Sequence, residues 1–141
     1  MKIRYLKMKR WLLTSFAAIL GINCSCEQVE EYGTPYASFV LKGNVSDPDG
    51  HPIPGINVKM DYNETYTGTD GSYNLSRDGI PGESVTYDVI FSDVDSIENG
   101  LFSDDTIPVT FRRSDLSGGD GHWNEGSATK TLNVILKRKE E

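Results

Sequence analysis

Cysteine and histidine are scarce in this chain of 141 residues, which has two of each. Cys24 and Cys26 stand almost side by side with no histidine near them, so a four-ligand Cys/His metal site cannot be completed there. His51 precedes a proline in a turn, His122 lies in a glycine-rich loop, and no serine stands in a nucleophile-elbow sequence. These absences predict a protein that is not an enzyme and has no catalytic residues or cofactor.

Acidic residues are absent from the first 25 positions, which hold five basic residues. The rest of the chain has nine basic and 21 acidic residues, a net charge of −12. A surface with this excess of carboxylates repels nucleic acid phosphates. The charge distribution therefore excludes a nucleic-acid partner.

A long apolar run is also missing, because the stretch 11–22 covers only 12 residues, whereas a membrane-spanning helix needs about 20. It follows a basic segment and ends in small and polar residues, which is the layout of a secretory signal. The sequence before Cys24 and Cys26 resembles a bacterial lipoprotein signal, in which cleavage precedes a cysteine that receives palmitate-type acyl chains. Cys26 is favoured because the small Ser25 precedes it, and Cys24 is the alternative.

The resemblance divides the chain into a signal peptide at 1–25, a tether at 26–37 and a domain at 38–139. Two or three acyl chains would anchor the protein stably to a membrane. Glu27, Glu30 and Glu31 follow the cysteine and resemble the acidic signal that sends lipoproteins of Bacteroides-type bacteria to the cell surface. We therefore expect an outer membrane lipoprotein of the cell envelope that faces the periplasm or the surface.

The domain alternates apolar and polar residues, the period of strands with one buried face. Six segments show this alternation, and turns that contain glycine, such as Asp49-Gly50, separate the segments. In the second segment, Tyr62 is expected on the same buried face as Met60. A weaker strand at 65–69 would form a hairpin with 72–76. The six segments cover 39–45, 56–62, 73–75, 85–91, 107–111 and 132–136. The pattern predicts an all-β sandwich or barrel.

Three successive segments, KGNVSD at 42–47, DGHPIPGINV at 49–58 and TGTDGSYNL at 67–75, resemble the carboxypeptidase regulatory-like domain. That resemblance implies a single transthyretin-like, Greek-key β-sandwich of about seven strands.

A narrower resemblance is to radical-SAM-associated lipoproteins of Bacteroides-type bacteria. It rests on the segments 31–37, 52–56 and 119–123 and on Asp93-Val94-Asp95 followed by Asn99-Gly100. It implies a radical SAM enzyme as a partner, with this chain as its possible substrate. Asp95-Ser96 replaces the Asp-Gly of the family pattern, which puts the function of that loop in doubt.

Oxygen ligands are concentrated in the same loop, where calcium would find carboxylates at Asp-x-Asp spacing. The alternative is a solvated acidic loop, because the later positions do not follow an EF-hand pattern. The predicted calcium ligands are Asp93, Asp95, Asn99, Asp104 and Asp105.

Two triplets in this region, Asp95-Ser96-Ile97 and Asp105-Thr106-Ile107, resemble the O-glycosylation acceptor of exported proteins in Bacteroides-type cells. Ser96 and Thr106 are therefore candidate attachment points.

Aromatic residues suggest one more surface. Trp123 with Tyr32, Tyr36 or Tyr66 would form a platform for sugars or peptides, or else would cover an open end of the core. Together these features predict a lipid-anchored, non-catalytic module that binds a protein or glycan partner. The alternatives are a calcium-dependent glycan-binding module and a substrate of the radical SAM enzyme.

Overall fold

The computed structural model describes residues 33–95 and 98–140, and strands dominate these ranges. Both cysteines, the predicted signal peptide and Ser96 lie outside the described residues. One 3-10 turn at Arg113–Asp115 follows the sixth strand. The strands are β1 (Tyr36–Ser46), β2 (Ile56–Met60), β3 (Asn63–Tyr66), β4 (Ser72–Gly79), β5 (Ser84–Asp93), β6 (Asp105–Arg112), β7 (Ser117–Gly118), β8 (Asn124–Thr131) and β9 (Val134–Ile135).

The strands form two sheets. One has the order β4-β1-β8-β7, with β9 also paired to β1, and the other has the order β3-β2-β5-β6. β8 and β9 run parallel to β1, and the remaining pairs are antiparallel. The predicted all-β sandwich is confirmed, with seven strands of four to eleven residues and two of only two residues in the described ranges.

The core lies between the sheets because each long strand turns alternate residues inward. From β1, Phe39 and Leu41 are buried, and the Phe39 ring lies 5.2 Å from Phe111 of β6. Tyr73 of β4 meets Phe91 of β5 edge-on at 5.7 Å. These aromatic contacts join the two sheets, as the alternation in the sequence predicts.

The pairing predicted for the strand at 65–69 is wrong. β3 pairs with β2, with Tyr66 opposite Asn57, rather than with the segment 72–76. The chain turns back through Asp61, which adopts a φ of +56°, and Tyr62, so β2 ends at Met60. Tyr62, expected on the buried face of that strand, is 86% exposed at the turn.

The predicted strand at 132–136 is confirmed only at Val134–Ile135. The longer strand in this region is β8, which has few large apolar residues to reveal it. Between β8 and β9, the backbone N–H of Leu132 donates to the Lys42 carbonyl, and a side chain at Gly43 would collide with the Leu132 carbonyl. Gly43 therefore permits this close approach to β1.

The described residues include no helix of the length and apolar character that crossing a membrane would require. β1 begins at Tyr36, two residues before the boundary at 38 that the sequence suggested for the domain.

Candidate functional site

The turn after β1 is organised by the carboxylate of Asp47, a residue that is only 2% exposed. Asp47 Oδ1 accepts hydrogen bonds from the backbone N–H groups of Asp49 at 3.0 Å and His51 at 2.9 Å. Asp47 Oδ2 accepts one from the Arg138 guanidinium at 2.7 Å and lies 3.4 Å from His51 Nδ1. The Arg138 contact is the largest cause that holds the pKa of Asp47 down to about 2.

Asp47, Asp49 and His51 are also a group of potential metal ligands, with one ligand atom from each lying within 4.8 Å of the others. An ionised carboxylate has about four acceptor positions. At Asp47 these face two backbone N–H groups, the Arg138 guanidinium and the His51 ring. The cluster therefore fastens the turn to the C-terminal segment, and Arg138 already supplies its cation.

The acidic loop after β5 is arranged differently. Asp93 Oδ2 accepts a hydrogen bond from the backbone N–H of Phe102 at 2.8 Å, and Asp95 Oδ2 accepts one from the Asn99 amide at 3.2 Å. Desolvation is the largest cause that raises the pKa of Asp95, and the nearby Asp93 carboxylate raises it further against the opposing effect of Asn99. The structure thus brings three of the five predicted calcium ligands together.

The other two predicted ligands, Asp104 and Asp105, border a depression of about 220 Å³ with Ser103 and Lys137. Asp105 Oδ1 accepts the backbone N–H of Thr106 at 2.8 Å. Within residues 33–95 and 98–140, no three acidic side chains of this loop bring ligand oxygens within 4.8 Å of one another. The calcium site stays a prediction.

The two candidate glycosylation residues differ in what the structure describes. Thr106 is exposed on β6, where it lies opposite Ile90 of β5, so its hydroxyl stands on the outer face of the sheet. Ser96 lies outside the described residues. Glycosylation at both positions stays a prediction.

The aromatic residues of the predicted platform lie in two separate parts of the structure. The Trp123 indole lies against Gly33, where an added side-chain carbon would come within 2.6 Å of the ring. The Trp123 carbonyl accepts the backbone N–H of Tyr36 at 2.8 Å, at the start of β1. Tyr66 instead borders a cavity with Asn44, towards the other end of β1. Trp123 and Tyr66 therefore do not belong to one surface.

A polar groove runs where the edge strands β3 and β4 come together. One part, of about 510 Å³, is bordered by Tyr62, and a second part, of about 700 Å³, is bordered by Tyr66. Both parts are lined by Thr65 and Asn74, so they adjoin at these residues, and we call them together the β3–β4 groove. This groove was not predicted, because the hairpin expected between 65–69 and 72–76 leaves no space between those two segments.

A sequence signal for the groove does exist. Tyr62 and Tyr66 stand four residues apart, on either side of polar residues with no apolar residue between them. That is an unusual pattern for a strand with a buried face.

No family model matches the chain, and no curated protein matches it significantly.

Proposed function

We propose that this protein is a lipid-anchored lipoprotein of the cell envelope, held in the outer membrane, whose β-sandwich acts as a non-catalytic binding module. The observation that supports the proposal is the position of β1, the first strand among the described residues, which begins at Tyr36 near the end of the predicted tether at 26–37. β1 is an interior strand, paired with β4 from Ala37 to Asn44 and with β8 on its other side. A pull on the lipid would therefore load two ladders of backbone hydrogen bonds together rather than peel away an edge strand.

The surroundings of the two histidines support a binding role over a catalytic one. The His51 ring contacts Asp47, whose carboxylate also holds backbone N–H groups and Arg138. His122 is exposed and its backbone N–H donates to Asp120. In the described ranges, neither imidazole has a hydrogen bond to a serine or threonine hydroxyl, the contact that would activate a nucleophile.

The anchor is tested by the intact mass of the full-length gene product, purified with detergent from the bacterium that produces it. We expect a mature chain that begins at Cys26 and carries two or three acyl chains. Cys26→Ala should abolish the lipid, and Cys24→Ala should leave it in place as the matched control. A mature chain without lipid would contradict the anchor.

The same spectrum tests the link to a radical SAM maturation system, which rests on the sequence resemblance alone. After the lipid is subtracted, any residual mass change localised by fragmentation would identify a modified residue. A glycan on Thr106 would appear there as a series of sugar losses that Thr106→Ala removes.

A further inference from the structure

Tyr62 is displayed in an unusual way. It stands at the two-residue turn between β2 and β3 and is 86% exposed, although a phenol ring normally buries much of its surface. The Arg77 guanidinium, which reaches over from β4 in the other sheet, lies 5.9 Å from the ring centroid. One side of the ring is thus occupied by Arg77 and the rest faces solvent.

The turn that displays Tyr62 includes a residue in an unfavourable backbone conformation. Asp61 has a φ of +56°, in the left-handed region that favours glycine. Its carboxylate is held by Arg77 at 2.6 Å, and the same guanidinium lies 5.4 Å from the Tyr87 ring. Arg77 Nε is buried without a hydrogen-bond partner among the described residues. Strained and unsatisfied groups of this kind are concentrated at functional sites.

The β3–β4 groove extends from Tyr62 to Tyr66, which is 55% exposed. Three residues of β3 lie between the two tyrosines, and an extended chain of this length places them up to about 13 Å apart, which exceeds the length of a monosaccharide. Amide and hydroxyl side chains dominate the lining between them, including Asn74 and Ser76. The charges of Glu64 and Lys42 on the groove offset each other.

A β-strand peptide fits this groove poorly. The β4 backbone carbonyls of Ser72 and Ser76 accept hydrogen bonds from Gly68 N–H and Asn63 Nδ2, both at 2.9 Å. A peptide that extended the sheet would need these carbonyls, so the edge does not offer a continuous row of acceptors. An anionic ligand is disfavoured by the net charge of −12 beyond residue 25.

We propose that the β3–β4 groove binds a neutral oligosaccharide. Tyr62 stacks on the apolar face of one sugar ring. The Asn74 amide and the Ser76 hydroxyl donate hydrogen bonds to its hydroxyl groups and accept them, while the Glu64 carboxylate only accepts. Tyr66 contacts a ring further along the chain. This inference deepens the proposed function and rests on it, because it gives the binding module its site and its class of ligand.

The test is calorimetric titration of the mature full-length protein with cellohexaose, maltohexaose, xylohexaose and mannohexaose. A polyoxyethylene detergent is needed because a glycoside detergent would compete for the site. We expect at least one oligosaccharide to bind, and Tyr62→Ala to raise its Kd by about tenfold or more, as truncation of a central aromatic contact does. Tyr66→Ala should raise it less.

Tyr36→Ala is the comparison variant, since Tyr36 is also an exposed tyrosine, at 48%, but it does not border the β3–β4 groove. It lies beside Trp123, on the alternative sugar platform that the sequence suggested. Tyr36→Ala should leave the Kd unchanged, and thermal melting should show that all three variants remain folded. The proposal is overturned if none of the four sugars binds, or if Tyr36→Ala weakens binding while Tyr62→Ala does not. An acylated Cys26 in the same preparation would then leave the proposed anchor standing.

Discussion

Two acidic turns of this protein look alike in sequence and differ in structure. Asp47-Pro48-Asp49 follows β1, and Asp93-Val94-Asp95 begins at the last residue of β5, so each segment has two carboxylates with one residue between them. Asp47 is surrounded by hydrogen-bond donors and by Arg138, which hold its pKa at about 2. Desolvation, and then the nearby Asp93 carboxylate, raise the pKa of Asp95, although the Asn99 amide donates a hydrogen bond to it.

The contrast shows that a count of oxygen ligands does not reveal what a carboxylate does. Asp47 gains its partners from Arg138, which is 91 residues away in sequence, and from the N–H groups of its own turn. In the sequence, the density of carboxylates points to the loop at 93–105 as the acidic site and assigns Asp47 no role of its own. The structure makes Asp47 the more strongly stabilised anion, because tertiary contacts bring its cation to it.

Of the substitutions that test this difference between the two turns, Asp47→Ala should have the largest effect on stability. It leaves the N–H groups of Asp49 and His51 and the Arg138 guanidinium without their shared acceptor in a buried position. We expect the thermal midpoint to fall by roughly 5 °C or more. Asp49→Ala, an exposed carboxylate of the same turn, is the control and should change the midpoint much less. Equal effects of the two variants would contradict the role of Asp47.

The contribution of Asp47 to stability should also appear in the dependence of stability on pH. The folded pKa of Asp47, about 2, lies below the ordinary value of 3.8, so its carboxylate stabilises the fold above pH 3.8. That stabilisation is lost as the pH falls from 3.8 towards 2. Urea midpoints measured across this window should fall less steeply for Asp47→Ala than for the wild type. Asp70 and Asp115 also have lowered pKa values, so part of the slope should remain.

Of these substitutions, Asp95→Asn should have the smallest effect on stability, and it should stabilise the fold rather than destabilise it. Because the pKa of Asp95 is raised, its ionised form is penalised in the folded protein at neutral pH, and the penalty disappears as the pH falls through the folded pKa towards 3.8. The variant also removes repulsion from Asp93. We expect a thermal midpoint at pH 7 that is unchanged or higher by about 1–2 °C. Asp104→Asn makes the same charge change in this loop and is the control.

Calcium gives this variant a second readout. If the loop holds calcium, about 5 mM of the ion should raise the midpoint of the wild type, and Asp95→Asn should reduce the rise. Magnesium at the same concentration controls for charge screening. A wild-type midpoint that does not respond to calcium would contradict the site predicted from the sequence.

The strands that were predicted well are those with large alternating side chains. β1 and β5 each bury a phenylalanine and aliphatic residues at every second position, so their period is visible locally. β8 was missed because its buried positions are Gly126 and Ala128, whose small side chains give no such signal. Its strand conformation follows from pairing with β1, which is a long-range contact.

The candidate binding surface was missed for a similar reason. Tyr62 continues the alternation of β2, and only the left-handed backbone of Asp61 shows that the strand has already ended. Arg77, which contacts both residues, comes from the opposite sheet. A pattern within one strand cannot report on a neighbour that the topology supplies.

The all-β class and the core positions of the long strands follow from local sequence patterns, because alternation and turn residues act between near neighbours in the chain. Only the packed fold shows which strand pairs with which, which carboxylate meets a cation and where two tyrosines border one groove. Those features depend on contacts between residues far apart in sequence, such as Arg138 with Asp47 and Arg77 with Tyr62. Local patterns carry no information about them until the sheets have packed.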